Sequence, residues 1–128
     1  MLAARLKKSC VKGQSLTNSR QKGKRGELQF ANMLKDCGLM ARRGQQFKGG
    51  ADSPDVICES LPDVHFEVKN CEKLNLWDAM YQSVSEMGKG QVPVVAWKRN
   101  RKSWLITMRF HDWIEWAKDR ETEKENGL

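Results

Sequence analysis

Asp55, Glu67 and Lys69 are the residues of this chain best placed to do chemistry together. They lie on either side of Glu59-Ser60-Leu61-Pro62-Asp63, whose Ser, Pro and Asp favour a turn. Val, Ile and Phe dominate the flanks, as strands prefer. Folding the flanks about Leu61 as antiparallel strands puts Val56, Cys58, Val64, Phe66 and Val68 on one face. The other face receives Asp55, Ile57, His65, Glu67 and Lys69, because side chains alternate along a strand. In that register Asp55 stands opposite Glu67. Two carboxylates so placed repel by roughly 0.2–1 kcal/mol if left alone, so the pair invites a cation. Mg²⁺ suits it, since it takes oxygen ligands, commonly one or two carboxylates with waters and phosphate oxygens. Lys69 points the same way and can neutralise the pair or steady a water of the ion against a phosphate. A slip of one residue in register would send Asp55 in among the apolar side chains.

Other elements must position this cluster. A helix is expected from a cap at Asn18 or Ser19 to Cys37, with Gly38 as its left-handed stop. Phe30, Ala31 and Leu34 recur there at helical spacing, and Glu27 precedes them by three, four and seven residues, so it shares their face. An acid heading an apolar stripe is partly desolvated. The helix is therefore expected to deliver Glu27 to the Asp55/Glu67 cluster; the plainer alternative is a rim acid paired with Arg25 or Lys24. Leu39 to Arg43 reads as a short first strand. The loop Gly49-Gly50-Ala51-Asp52-Ser53 would let a phosphate approach its backbone. Arg42, Arg43 and Lys48 flank that approach. Asp52 is a spare acid nearby, but Asp55 is preferred because it follows Pro and begins an apolar run.

A second helix is expected from Leu74 or Asn75 to Met87, ended by Gly88. Trp77, Met80, Tyr81 and Val84 form its apolar stripe, read as core, with Gln82 off it. Val92 to Trp97 and Ser103 to Met108 read as strands. Between them Lys98-Arg99-Asn100-Arg101-Lys102 places four cations at a hairpin tip suited to gripping a polyanion, and Trp97 and Trp104 beside it read as core or sheet-face residues. A final helix, about His111 to Arg120, carries Trp113, Ile114, Trp116 and Ala117. That is more aromatic surface than a small domain readily covers, so a homodimer contact is expected there.

The 128 residues suffice for one domain with a modest core. A formal charge of +7 and a pI near 9.4 suit a polyanionic partner. No apolar run approaches the roughly 18–20 residues of a membrane span, and Arg5, Lys7 and Lys8 interrupt any secretory core after Ala4. Cys10, Cys37, Cys58 and Cys71 form no C-x-x-C pair and read as reduced thiols of a cytoplasmic protein. His65 and His111 are too far apart in sequence to suggest a local metal pair. The first 25 residues contain eight Lys and Arg and no acid. They read as a flexible basic arm that gains DNA affinity by releasing counterions, with a solubilising tail or a transit peptide as alternatives. The expected partition is an arm over 1–18, a folded domain over 19–118 and a charged, frayed tail over 119–128.

The element order is αβββαβ followed by a strand and a helix, an α/β arrangement with a mixed central sheet flanked by helices. With Pro54-Asp55 and Glu67-Val68-Lys69, it resembles the PD-(D/E)xK nuclease superfamily and its restriction-endonuclease-like core. The Gly-Lys-Arg-Gly-Glu segment ending at Glu27, the Gly-Gly-x-x-Ser-Pro-Asp loop and Phe66-Glu67-Val68-Lys69-Asn70 resemble its Holliday junction resolvase branch, small phage-type members in particular. The resemblance covers about Lys22 to Trp116. It implies Mg²⁺-dependent, structure-selective hydrolysis of DNA phosphodiesters, with Mn²⁺ as a substitute. Asp55, Glu67 and the Val68 carbonyl would hold the ion, with Glu27 on it or its water. Lys69 would orient or activate the attacking water, and Gln82 would help orient water or backbone. Lys22, Lys24, Arg25, Arg42, Arg43, Lys48, Lys98, Arg99, Arg101 and Lys102 would touch branched or duplex DNA. A homodimer in the cytoplasm, that of a bacterial host if phage-encoded, follows from cutting two symmetric strands. A nicking or other endonuclease of the superfamily, or a basic DNA-binding domain without catalysis, are the alternatives.

Overall fold

The computed structural model of the chain describes residues 16–44 and 54–127. The arm up to residue 15, Lys48, Asp52 and the 49–53 loop lie outside the described residues. Helix α1 (Leu16–Asp36) is followed by β1 (Ala41–Arg43), β2 (Val56–Cys58), β3 (Val64–Asn70), α2 (Leu76–Glu86), β4 (Val92–Lys98), β5 (Leu105–Met108) and α3 (Phe110–Glu125). The strands make one sheet in the order β1-β2-β3-β4-β5. β3 and β4 run parallel and the remaining neighbours antiparallel. A parallel pair needs a crossover of a dozen or more residues, and α2 provides it. Val56 pairs with Phe66, the register expected for the hairpin, with Asp55 at the mouth of β2.

The two faces of the sheet are covered differently. α1 lies over the apolar one, where Phe30 and Ala31 pack with Val56, Cys58, Phe66, Val68, Val94 and Ala96. The rings of Phe30 and Phe66 meet edge to face at 5.3 Å, and Trp104 closes on Phe30 at 5.1 Å. The close approach of α1 depends on Gly26, since a Cβ there would stand 2.6 Å from the Asn70 Cβ. The Asn70 amide in turn donates to the Lys22 carbonyl at 3.2 Å, tying the head of α1 to the end of β3.

α2 covers the other face. The Asn75 side chain accepts from the Asp78 N–H at 3.1 Å as its cap. Ala79, Met80 and Ser83 are buried against Val95. The Ser83 hydroxyl bonds the backbone carbonyls of His65 and Val94 at 3.4 and 3.2 Å, bridging the two parallel strands. This corrects the expected core stripe. Met80 and Val84 face the sheet, but Trp77 is 85% exposed and Tyr81 is also exposed. Small Ala79 and Ser83 let the helix settle along that line, and Trp77 and Tyr81 lie one residue round the barrel.

Helix bounds also differ from the sequence reading. α1 already includes Leu16, so Asn18 and Ser19 lie inside it rather than capping it. It stops at Asp36, with Gly38 at φ +89° as expected. α3 continues to Glu125, through residues expected to fray. No helix among the described residues is long and apolar enough to cross a membrane.

Candidate active site

The face of β3 that carries charge is not open to solvent. With α2 laid across it, Glu67 is 1% exposed and His65 2%. Neither Glu67 carboxylate oxygen has a hydrogen-bond donor. What faces them are the carboxylates of Asp55 and Glu86, which serve as partners only by sharing a proton. Burial and then Asp55 push the Glu67 carboxyl up to about 11. An uncompensated buried carboxylate is costly enough that it holds its proton or finds a cation.

Each neighbour of this carboxyl is set by a distinct element. Asp55 accepts the Val68 N–H at 2.9 Å through Oδ2, which crosses from the mouth of β2 to β3. Its backbone carbonyl accepts the Gly44 N–H at 2.9 Å. A Cβ at Gly44 would collide with the Pro54 carbonyl, so glycine is required there to fix Asp55. Glu27 reaches the cluster from α1 and accepts from Arg43 Nε at 2.7 Å. Burial raises its carboxyl, with Asp55 adding to that, while Arg43 and Lys24 draw it down. The acids at 27, 55 and 67, from three separate elements, thus form one electrostatic group.

Lys69 donates to Gln82 Oε1 at 2.9 Å, and Gln82 Nε2 donates to Glu86 Oε1 at 3.3 Å. Strand and helix are linked through this chain, and the amide orientation is set by the cation on one side and the carboxylate on the other. Glu86 is an acid that sequence reasoning missed. Burial raises its carboxyl, against the hydrogen bond from Gln82. The signal for it was its position four residues after Gln82, one turn along the same helical face. His65 is the second omission: it was placed on the charged face, yet set aside as a ligand for lack of a nearby histidine. His65, Glu67 and Glu86 bring ligand atoms within 4.8 Å of one another, and such a group can hold a metal ion.

The cations expected to meet phosphate separate into different kinds. Lys24 and Arg25 are exposed on α1, whereas Lys22 is buried beside Asn70. Arg43 is engaged by Glu27, and Arg42 by Glu59 at 3.3 Å. At the β4–β5 turn Arg99, Arg101 and Lys102 are exposed and Lys98 is half-buried. Glu72 steadies that turn by accepting the Asn100 N–H at 2.9 Å, and Arg99 lies over the Trp97 ring at 5.2 Å.

No protein-family model matches the chain, and no curated protein matches it. Among solved structures it is similar to Hjc, a Holliday junction resolvase from the archaeal hyperthermophile Archaeoglobus fulgidus. Identity is 28% and the TM-score 0.52, over 68% of this chain and 72% of that one. The fold is restriction-endonuclease-like.

Proposed function

We propose that the chain is a divalent-metal-dependent DNA endonuclease that resolves four-way junctions. The observation that carries this is the Glu67 carboxyl, buried without a donor beside Asp55 and within reach of His65 and Glu86. The likeness to an archaeal junction resolvase supports the same reading. Asp55 and Glu67 would hold the ion, with the Val68 carbonyl and Glu27 completing the set. Mg²⁺ is the expected ion and Mn²⁺ its substitute. Bound there, the ion supplies Lewis acidity toward a phosphate oxygen and acidifies a water. Lys69, held by Gln82, positions its ammonium toward the reacting phosphate and balances the charge that develops on it. Arg43 pairs with Glu27 and opposes the upward push of burial on its carboxyl.

DNA would lie across the exposed cations of α1 and the β4–β5 turn. Replacing Lys98, Arg99, Arg101 and Lys102 with Ala is expected to weaken binding and flatten its dependence on salt, by up to ~0.9 of slope for each phosphate no longer neutralised. An unchanged slope would remove that turn from the interface. A second copy would pair through β5 and α3, whose apolar side chains are uncovered, so that two centres meet the two symmetric strands. The deciding experiment compares labelled four-way junction and linear duplex with Mg²⁺ or Mn²⁺, for wild type and Glu67→Ala. Selective junction cutting by the wild type alone is expected. Equal cutting of both substrates would favour a general or nicking endonuclease, and cutting of neither a basic DNA-binding domain.

A further inference from the structure

Within the charged cluster, His65 has no place in the proposed reaction. It is 2% exposed, and its Nε2 is buried without a hydrogen-bond partner among the described residues. Folded proteins seldom leave such atoms unsatisfied unless something else occupies the site. His65 and Glu67 lie two residues apart on β3 and so point to the same side. Glu86, at the last turn of α2, faces them. All three ligand atoms fall within 4.8 Å of one another. Three atoms bound at about 2.0–2.2 Å by one ion stand at most roughly 3.5–3.8 Å apart when evenly spread, so the side chains would close by up to about 1 Å on a cation.

We infer that His65, Glu67 and Glu86 form a second divalent-ion position, separate from the one bounded by Glu27 and Asp55, which prefers transition ions to Mg²⁺. The inference rests on the reading of the carboxylate cluster as an ion site, and not on the cleavage of DNA. The ligand chemistry sets the preference. Imidazole nitrogen suits first-row transition ions, whereas Mg²⁺ favours an all-oxygen shell. Glu86 is only half-buried and gives the ion its way in. Gln82 holds one Glu86 oxygen and also receives Lys69. An ion at this position is therefore linked through one amide to the cation at the reacting end of β3.

The test uses the full chain without DNA. Mn²⁺ is titrated by calorimetry, and pulsed electron paramagnetic resonance reads nitrogen coupling to the bound ion. The wild type is expected to show imidazole coupling. His65→Gln should lose it, and His111→Gln, altering the one other histidine of the chain, should keep it. Glu86→Gln, at a half-buried position that leaves the core intact, should weaken Mn²⁺ about tenfold or more while sparing Mg²⁺ binding. Asp55→Asn should weaken Mg²⁺ and leave the nitrogen-coupled Mn²⁺ in place. Absence of nitrogen coupling in the wild type overturns the inference. So does its survival in His65→Gln, or an unchanged Mn²⁺ isotherm in Glu86→Gln. Failure of the nuclease reading looks different: nitrogen-coupled Mn²⁺ bound by a protein that cuts nothing.

Discussion

Between β3 and α2 the fold encloses carboxyl groups and an imidazole that water would ordinarily solvate. Along β5 and α3 it leaves Leu105, Ile106, Phe110, Trp113 and Trp116 in water, with Phe110 74% exposed, and no residue of α3 is buried. Full burial of such a side chain is worth about 1.5–3 kcal/mol, a gain this face forgoes within one chain. The two regions depart from the usual sorting in opposite senses. At the first, polar atoms lack donors, and the proposed cation would satisfy them. At the second, apolar surface lacks cover, and the proposed second copy would supply it. Among the described residues the larger apolar core lies under α1, and a smaller one of Ala79, Met80 and Val95 lies under α2.

The sharpest way to break the contrast is to remove the charge from the first region. Glu67 holds its proton in the folded metal-free protein to about pH 11, whereas the unfolded chain releases it near 4.5. The folded state therefore binds more protons through that interval, and stability must fall as pH rises across it. Glu27 and Glu86 are shifted the same way and add to the fall. His65, whose basicity is lowered, opposes it below its unfolded value of 6.5. Metal-free melting temperature is expected to decline steadily from pH 7 to 10 in the wild type and to flatten in Glu67→Gln. Added Mn²⁺ should raise it more at higher pH, because the ion displaces that proton. A wild-type profile as flat as that of the variant would mean the carboxyl is not enclosed.

The second region is broken by charge instead. Trp113→Glu with Trp116→Glu should convert a dimer to a monomer in sedimentation while leaving helical content unchanged, since neither ring is buried within one chain. A wild type that sediments as a monomer at micromolar concentration would remove the pairing surface. The smallest effect belongs to Gly26, where α1 meets the end of β3. Gly26→Ala forces a Cβ onto Asn70, at a cost of ~1–3 kcal/mol for overpacking, offset by up to ~1 kcal/mol of helix propensity. Urea unfolding should show a net loss, and an unchanged midpoint would mean α1 can back away freely.

The sequence reading recovers what depends on local alternation. Valines, Cys58 and Phe66 repeat at every second position around a turn, and that pattern alone sets the Val56–Phe66 register. It also places Glu27 on the same helical stripe as Phe30, because both are fixed by one helix. What it misses depends on how a helix is seated. That Glu67 is enclosed was not legible, since nothing local says that Ala79 and Ser83 will bring α2 down over it. The same seating turns Trp77 and Tyr81 outward and brings in Glu86, 19 residues beyond Glu67 with no motif joining them. Arg43 read as a phosphate ligand because its partner lies 16 residues earlier on another element.

The hydrogen bond from Gly44 to the Asp55 carbonyl has an evolutionary reach. It clasps the chain just before residue 45 and just after residue 53, so the start and finish of that excursion are neighbours in space. Insertions or deletions between the two anchor points would be absorbed there without tugging on the acid. Changes of length between the two anchors would leave the proposed ion site in place.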